Sequence, residues 1–243
     1  MDARARLARR LEAESVDPTV AEKVAANLDD WQIEALVELT HGDLESGPGL
    51  SRRAPVAPND SIDSLWLFSW GDRITATSGF TPLQLTDPPP PVDAIEPGPV
   101  NAAIARVAAE FVAARPVPIV AQWEVALELE ELSIEDVLSV EPVQQPDGHV
   151  EYLSTPDVVT VGQRMAADAG LDVGQAGVIT FAELAFGGCL VAQRGGLVAA
   201  SPSGTELPEE YDAESGQLWT RSLEAWLPVD LLGRIFLNTS IPR

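Results

Sequence analysis

The stretch Pro118-Ile-Val-Ala-Gln122, followed by Trp123-Glu124-Val-Ala-Leu-Glu-Leu-Glu-Glu131, decides the fold. The first part is a short apolar run behind a proline. The second carries apolar side chains at helical spacing and acids between them, so it reads as a strand running straight into an acidic helix. The pattern then repeats. A second strand is expected near Val137–Val143, and Ser154-Thr155-Pro156-Asp157 opens a helix with a hydroxyl N-cap and a proline just inside. Gly177-Val-Ile-Thr-Phe181 reads as a third strand, Phe186–Gln193 as a helix stopped by Gly195-Gly196, and Leu197–Ser201 as a further strand. Short apolar runs alternating with longer helical patterns define parallel βαβ units.

Upstream, Ile62–Trp70 is the strongest strand signal of the first half. Trp66, Phe68 and Trp70 alternate with Leu65, Leu67 and Ser69, so both faces are largely apolar, as in an interior strand. Gly71-Asp72 ends it. Residues 75–99 hold seven prolines, a density no helix or inner strand tolerates, and read as a long loop. Asn101–Ala114 reads as a helix with Ile104, Val107, Ala108, Phe111 and Val112 on its buried side. The expected fold is α/β: a Rossmann-like three-layer parallel sheet over residues 61–243, with an N-terminal helical accessory and C-terminal helices.

The accessory is residues 1–42, read as helices over Ala3–Ala13, Val20–Leu28 and a third capped by Asp29-Asp30. Residues 43–60, rich in Gly, Pro and Ser, read as a linker. Trp219, Leu223, Trp226 and Leu227, then Val229, Leu232, Ile235 and Phe236, have helical spacing around Pro228. These helices are expected to cover one face of the sheet or to form a dimer contact.

Composition bounds the function. Fifteen basic against 38 acidic residues give a net charge of -23. That argues against a nucleic-acid backbone or an anionic membrane surface as partner. It fits either solubility or an acidic face that docks a basic partner. The single cysteine, Cys189, forms no internal disulfide and sits in an apolar helix as an inert thiol. His41 and His149 lack metal-ligand spacing. No apolar run reaches the roughly twenty residues of a membrane span and no signal-peptide core is present, so a cytoplasmic protein is expected. The dinucleotide, P-loop, zinc-protease and serine-hydrolase fingerprints are absent, so the sequence names no cofactor.

Sites in parallel sheets lie where strands end and helices begin. Glu124, just past a strand end, is a candidate general base or hydroxyl ligand, weighed against an acid that only complements the helix dipole. Gln122 stands beside it. Ser154 and Thr155 are an anion or hydroxyl site at a helix start, or a plain cap. Glu183 follows the third strand as a second candidate base, or as a surface carboxylate. Gly71 would let backbone approach a ligand, or simply turn the chain.

The order of these pieces resembles the YdcF-like family (domain of unknown function 218), which includes the SanA and ElyC envelope proteins. The resemblance runs over about residues 62–201, through Ser64–Gly71, Asn101–Ala114, Val117–Gln122 with Glu124, Tyr152-Leu-Ser-Thr155 and Val178-Ile-Thr180. It implies a Rossmann-like fold with a pocket for a nucleotide-like or phosphate-bearing ligand. Ala121-Gln122 stands in place of the family's Ser-Gly-Gly, Glu183-Leu184 in its His region, and Gly187-Gly188 in its Arg-Ala region. Losing His and Arg weakens anion binding and implies a divergent or inactive member. Two expectations follow: a small-molecule-binding protein with Gly71, Gln122, Glu124, Ser154, Thr155 and Glu183 around its pocket, or a non-enzymatic acidic module that docks a basic partner.

Overall fold

The computed structural model describes residues 2–47, 49–76, 94–144, 150–151 and 153–238. They form two compact units, residues 54–221 and residues 1–53 with 222–243.

The larger unit is built on six parallel strands: β1 (Val56–Ala57), β2 (Ser64–Leu67), β5 (Ile119–Gln122), β6 (Val137–Val140), β9 (Gln175–Ile179) and β10 (Val198–Pro202). Their order is β1-β10-β9-β2-β5-β6. The chain steps outward from β2 through helix α4 (Pro99–Ala114) to β5, and through α5 (Trp123–Glu131) to β6. It then crosses back through α6 (Thr155–Asp168) to β9, on the other side of β2, and through α7 (Ala182–Arg194) to β10. This is the expected α/β architecture, a parallel sheet with helices on its faces, and its switch point lies between β2 and β9. β2 is buried along its whole length. Gly162 lets α6 lie close on Trp66 and Val120, where a Cβ would stand 2.8 and 2.7 Å from them.

Several boundaries differ from the sequence reading. The strand that begins at Ser64 closes at Leu67, and Trp70 leaves it to stack elsewhere. The run Val137–Val143 splits: β6 stops at Val140, and β7 (Val143–Gln144) pairs antiparallel with β8 (Val150–Glu151) in a separate ribbon. The turn expected at Gln144–His149 lies largely outside the described residues, as does most of the Pro-rich loop. The two ends of that loop form a small antiparallel ribbon, β3 (Asp72–Ile74) with β4 (Ile95–Pro97). A proline is tolerated there because the ribbon stands apart from the main sheet. Gly98 caps α4 and Pro99 is its first residue, so the helix begins before Asn101. Helix α7 starts at Ala182, four residues before the expected Phe186.

The smaller unit holds α1 (Ala3–Ala13), α2 (Pro18–Asn27), α3 (Asp30–Leu39) and α8 (Leu223–Asn238). Asp17 caps α2, accepting from the N–H of Thr19 and Val20, and Pro18 opens it. The expected domain boundaries need correction here. The C-terminal helix buries Leu227, Leu231 and Ile235 in one cluster with Leu7, Leu11, Val24 and Leu36 of the N-terminal helices. Helical spacing says that a stripe must be buried but not against what. Pro228 lies inside α8, where its missing N–H leaves the Glu224 carbonyl without its helical bond. Leu44 and Leu50, read as linker, belong to the same core, and Val56–Ala57 is already the edge strand of the sheet.

The arginines of α1 are clamps. Arg4 reaches the Leu28 carbonyl at 2.7 Å and Asp30 at 2.6 Å, Arg9 reaches Glu45 at 2.5 Å, and Arg10 pairs with Glu14 at 3.1 Å. On α8, Arg234 is 2 % exposed. It bonds Asp230 at 2.9 Å and donates to the carbonyls of Gly49 and Ser51 at 3.2 and 2.5 Å.

Candidate functional site

The switch point between β2 and β9 is filled. Thr180, buried past the end of β9, donates its hydroxyl to the Phe68 carbonyl at 2.8 Å. Trp70 stacks on Phe181 with ring centres 4.3 Å apart, and Tyr211 meets both rings edge-on. Apolar contact and a satisfied hydroxyl occupy the crevice in which such sheets commonly bind ligands.

Polar groups converge one strand over, at the carboxyl ends of β2 and β5. The segment Ser69–Asp72 leaves β2 and turns across this end. Its backbone cannot pair in the sheet, so side chains serve it. Gln122, 6 % exposed, accepts the Ser69 N–H at 3.2 Å. Asn101, 0 % exposed, accepts the Trp70 N–H at 2.8 Å and donates to the Gly71 carbonyl at 2.7 Å. Gly71 has φ +67°, and a Cβ there would stand 2.6 and 2.8 Å from the hydroxyls of Ser215 and Thr220. The glycine is therefore demanded by the loop packed over it.

This scaffold encloses two carboxyl groups. Glu124, in the first turn of α5, is 0 % exposed, and neither of its oxygens has a well-formed hydrogen bond among the described residues. Burial pushes its pKa up to about 8. The charges of Asp72 and Glu141 push the same way, while its own backbone N–H and the Ser69 hydroxyl favour the ionised form. Asp72, 5 % exposed, has its pKa raised to about 6, again mainly by burial, against a weak bond from Gln217 at 3.4 Å. Its Oδ1 has no partner among the described residues, nor does the indole N–H of Trp123, the residue beside Glu124.

Buried polar groups in proteins are almost always paired, so the carboxyl oxygens left over on Asp72 and Glu124 single out this strand end as the candidate site. The two acids titrate in different ranges. Near pH 7 Glu124 holds its proton and can donate it, while Asp72 is mostly ionised and can accept one. Two carboxyls pushed to different pKa values are the pattern of an acid and base pair.

The remaining candidates lie apart from this pair. The Ser154 N–H is held by Asp157 Oδ2 at 3.2 Å, and the same carboxylate takes the Ser154 hydroxyl. The start of α6 thus already faces an anion of its own chain, and Thr155 is simply its first residue. Glu183 is half-buried in the first turn of α7, whose Ala182 N–H is bound by the Pro208 carbonyl at 2.8 Å. Of the six candidates, Gln122, Glu124 and Gly71 are brought to one strand end; Gln122 and Gly71 shape the loop, and Glu124 alone presents uncommitted atoms. Sequence reasoning missed Asp72 and Asn101. Their signal was a polar residue directly after the glycine that ends a core strand, and an amide in the first turn of the next helix.

Cys189 is buried against Ser201, and burial pushes its thiol up to about 11, which makes it inert. No cluster of metal-ligating side chains occurs among the described residues, and no described helix is long and apolar enough to cross a membrane.

The fold and this strand end define the chain as an α/β parallel-sheet protein with a buried carboxyl pair. No protein-family model matches it, and no similar protein was found among the curated proteins or the solved structures.

Proposed function

We propose that residues 54–221 are a small-molecule-binding domain of the YdcF-like kind, cytoplasmic, with its acid–base centre at Glu124 and Asp72. One observation carries the reading: a fully buried glutamate at a strand end, within the field of a second buried carboxyl, whose oxygens make no well-formed hydrogen bond among the described residues. Leaving such groups unpaired is costly, and a bound ligand would supply the missing bonds. Glu124 acts as proton donor or hydrogen-bond donor, and Asp72 as its ionised counterpart. Gln122 and Asn101 hold the Ser69–Asp72 segment in place.

The chemistry of the pair selects the ligand. An ionised Asp72 that no arginine or lysine of the described residues pairs repels phosphate, and the start of α6 faces Asp157. The ligand is therefore neutral or basic, with hydrogen-bond donors for the carboxyl oxygens and an acceptor for the Trp123 N–H. This departs from the phosphate-bearing ligand implied by the resemblance, in step with the family's missing His and Arg.

The test is a thermal-shift screen of the whole chain against nucleosides, polyols, amines and sugar phosphates, run in parallel on Glu124→Gln. Ligand at about 100 times its Kd adds about 2.7 kcal/mol of stability. A shift with a neutral or basic class that disappears in the folded variant is expected. A shift that survives the substitution, or one confined to phosphates, refutes the assignment.

A further inference from the structure

A second feature of the larger unit stands apart from the carboxyl pair and carries its own function. Helix α4 presents Val100, Ala103 and Val107, at i, i+3 and i+7, to a groove of about 830 Å³. The spacing of Val107 predicts a core position, yet it is only half-buried, on the side of the helix that lines the groove. The opposite wall is the segment Glu206–Asp212, with Leu207 and Pro208 turned to the groove. That wall is fixed at both ends. The Pro208 carbonyl is bound to the start of α7, and Asp212 takes Arg73 in a two-point pair at 2.9 and 3.0 Å.

Acids outnumber bases at the rim. Glu206, Glu209 and Glu210 are exposed, and no ion pair of the described residues engages them. Of the two arginines that line the groove, Arg73 is committed to Asp212 and Glu214. Arg106 is exposed on the groove, and no ion pair of the described residues engages it. The groove thus has an aliphatic floor, a wall tied at Pro208 and Asp212, and three exposed glutamates against one exposed arginine, Arg106. Its volume is in the range of recognition sites.

We infer that this groove is a docking site for a basic, amphipathic peptide segment of a partner protein, with aliphatic side chains on Val100, Ala103 and Val107 and lysine or arginine on Glu206, Glu209 and Glu210. Apolar side chains of the peptide are removed from water along α4. Its cations meet the rim, and the chain's charge of -23 speeds encounter. A second copy of this chain would bring like charge to the rim and is disfavoured. The site belongs to the larger unit, so the N-terminal helices, whose arginines are tied to their own unit, are not needed for it.

The test uses the full chain and a fluorescein-labelled peptide of alternating lysine and leucine pairs, with a glutamate-for-lysine counterpart as control. Anisotropy titrations are run at low and at physiological salt on wild type, on Glu206→Lys/Glu209→Lys/Glu210→Lys, and on Ala103→Trp, which fills the floor. Both variants are expected to raise Kd by about tenfold or more, equivalent to about 1.4 kcal/mol, with the counterpart peptide not binding. Amide hydrogen exchange on the wild-type complex should show protection gained at residues 98–107 and 206–212, a reading that holds even if Ala103→Trp fails to fold. Binding that is lost in the charge variant but kept in a folded Ala103→Trp is attraction to acidity alone and overturns the proposal. So does protection elsewhere. Self-association of the chain with no peptide binding would give the groove to a second copy and equally overturn it.

Discussion

Replacing Glu124 by glutamine should make the protein more stable, and increasingly so as the pH rises. A carboxyl whose pKa is raised on folding binds its proton more tightly in the folded chain than in the unfolded one. Its contribution is therefore intact below the unfolded pKa and is lost as the pH climbs toward the folded value. For Glu124 that window runs from 4.5 to about 8. At about 1.4 kcal/mol per unit, the folded state loses about 4 kcal/mol between pH 5 and pH 9 as the proton must be surrendered or the charge buried. Glutamine has the same shape and carries no proton to lose. The difference in unfolding free energy between Glu124→Gln and wild type should be small at pH 5 and grow by about 4 kcal/mol by pH 9. Urea unfolding at intervals between those limits, followed by the fluorescence of the buried Trp66, Trp70 and Trp123, measures it. Taking the difference cancels the titration of every group not coupled to Glu124; Asp72 and Glu141, whose charges act on it, remain in the difference. A difference that stays flat with pH would mean that Glu124 titrates as an ordinary solvated acid, and the argument for a buried, unpartnered proton donor would fall. Asp72→Asn makes an internal check: its window lies lower, from 3.8 to about 6, so its difference should level off before that of Glu124→Gln.

Other outcomes follow from packing and pairing. Arg234→Met strands a buried Asp230 and two carbonyls, and should cost about 3–5 kcal/mol, with part recovered when Asp230 is also made leucine; chemical denaturation of the full chain reports both. Gly162→Ala brings a methyl group to within 3 Å of Trp66 and Val120, so a loss of about 1–3 kcal/mol is expected despite the better helix propensity of alanine. Thermal unfolding would show the opposite sign if α6 can shift away. Ser154→Ala should cost about 1 kcal/mol of stability as a lost cap while leaving ligand shifts in the thermal screen unchanged, because its hydroxyl is spent on Asp157.

The sequence by itself determined the things that local spacing can carry. Alternation of apolar runs with helical stripes placed β2, β5, β9 and β10 and the helices between them. N-cap chemistry marked the starts of α3 and α6. It also placed Glu124 at a strand end, because a strand running into an acidic helix puts the first acids there. What depends on distant residues was decided only by the tertiary structure. The stripe on α8 looks the same whether it packs on a sheet or on α2 and α3, and only the fold joins Leu227 and Leu231 to Leu7 and Leu36. Burial of Glu124 comes from the Ser69–Asp72 segment and from the residues around it, about 50 positions upstream in the chain for the nearest of them, as the Ser69–Gln122 bond shows. A carboxyl's pKa depends on who surrounds it, not on its neighbours in sequence. The same holds for Asp72, crossed by the 215–217 segment, and for Val107, which carries a core residue's spacing but lines a groove.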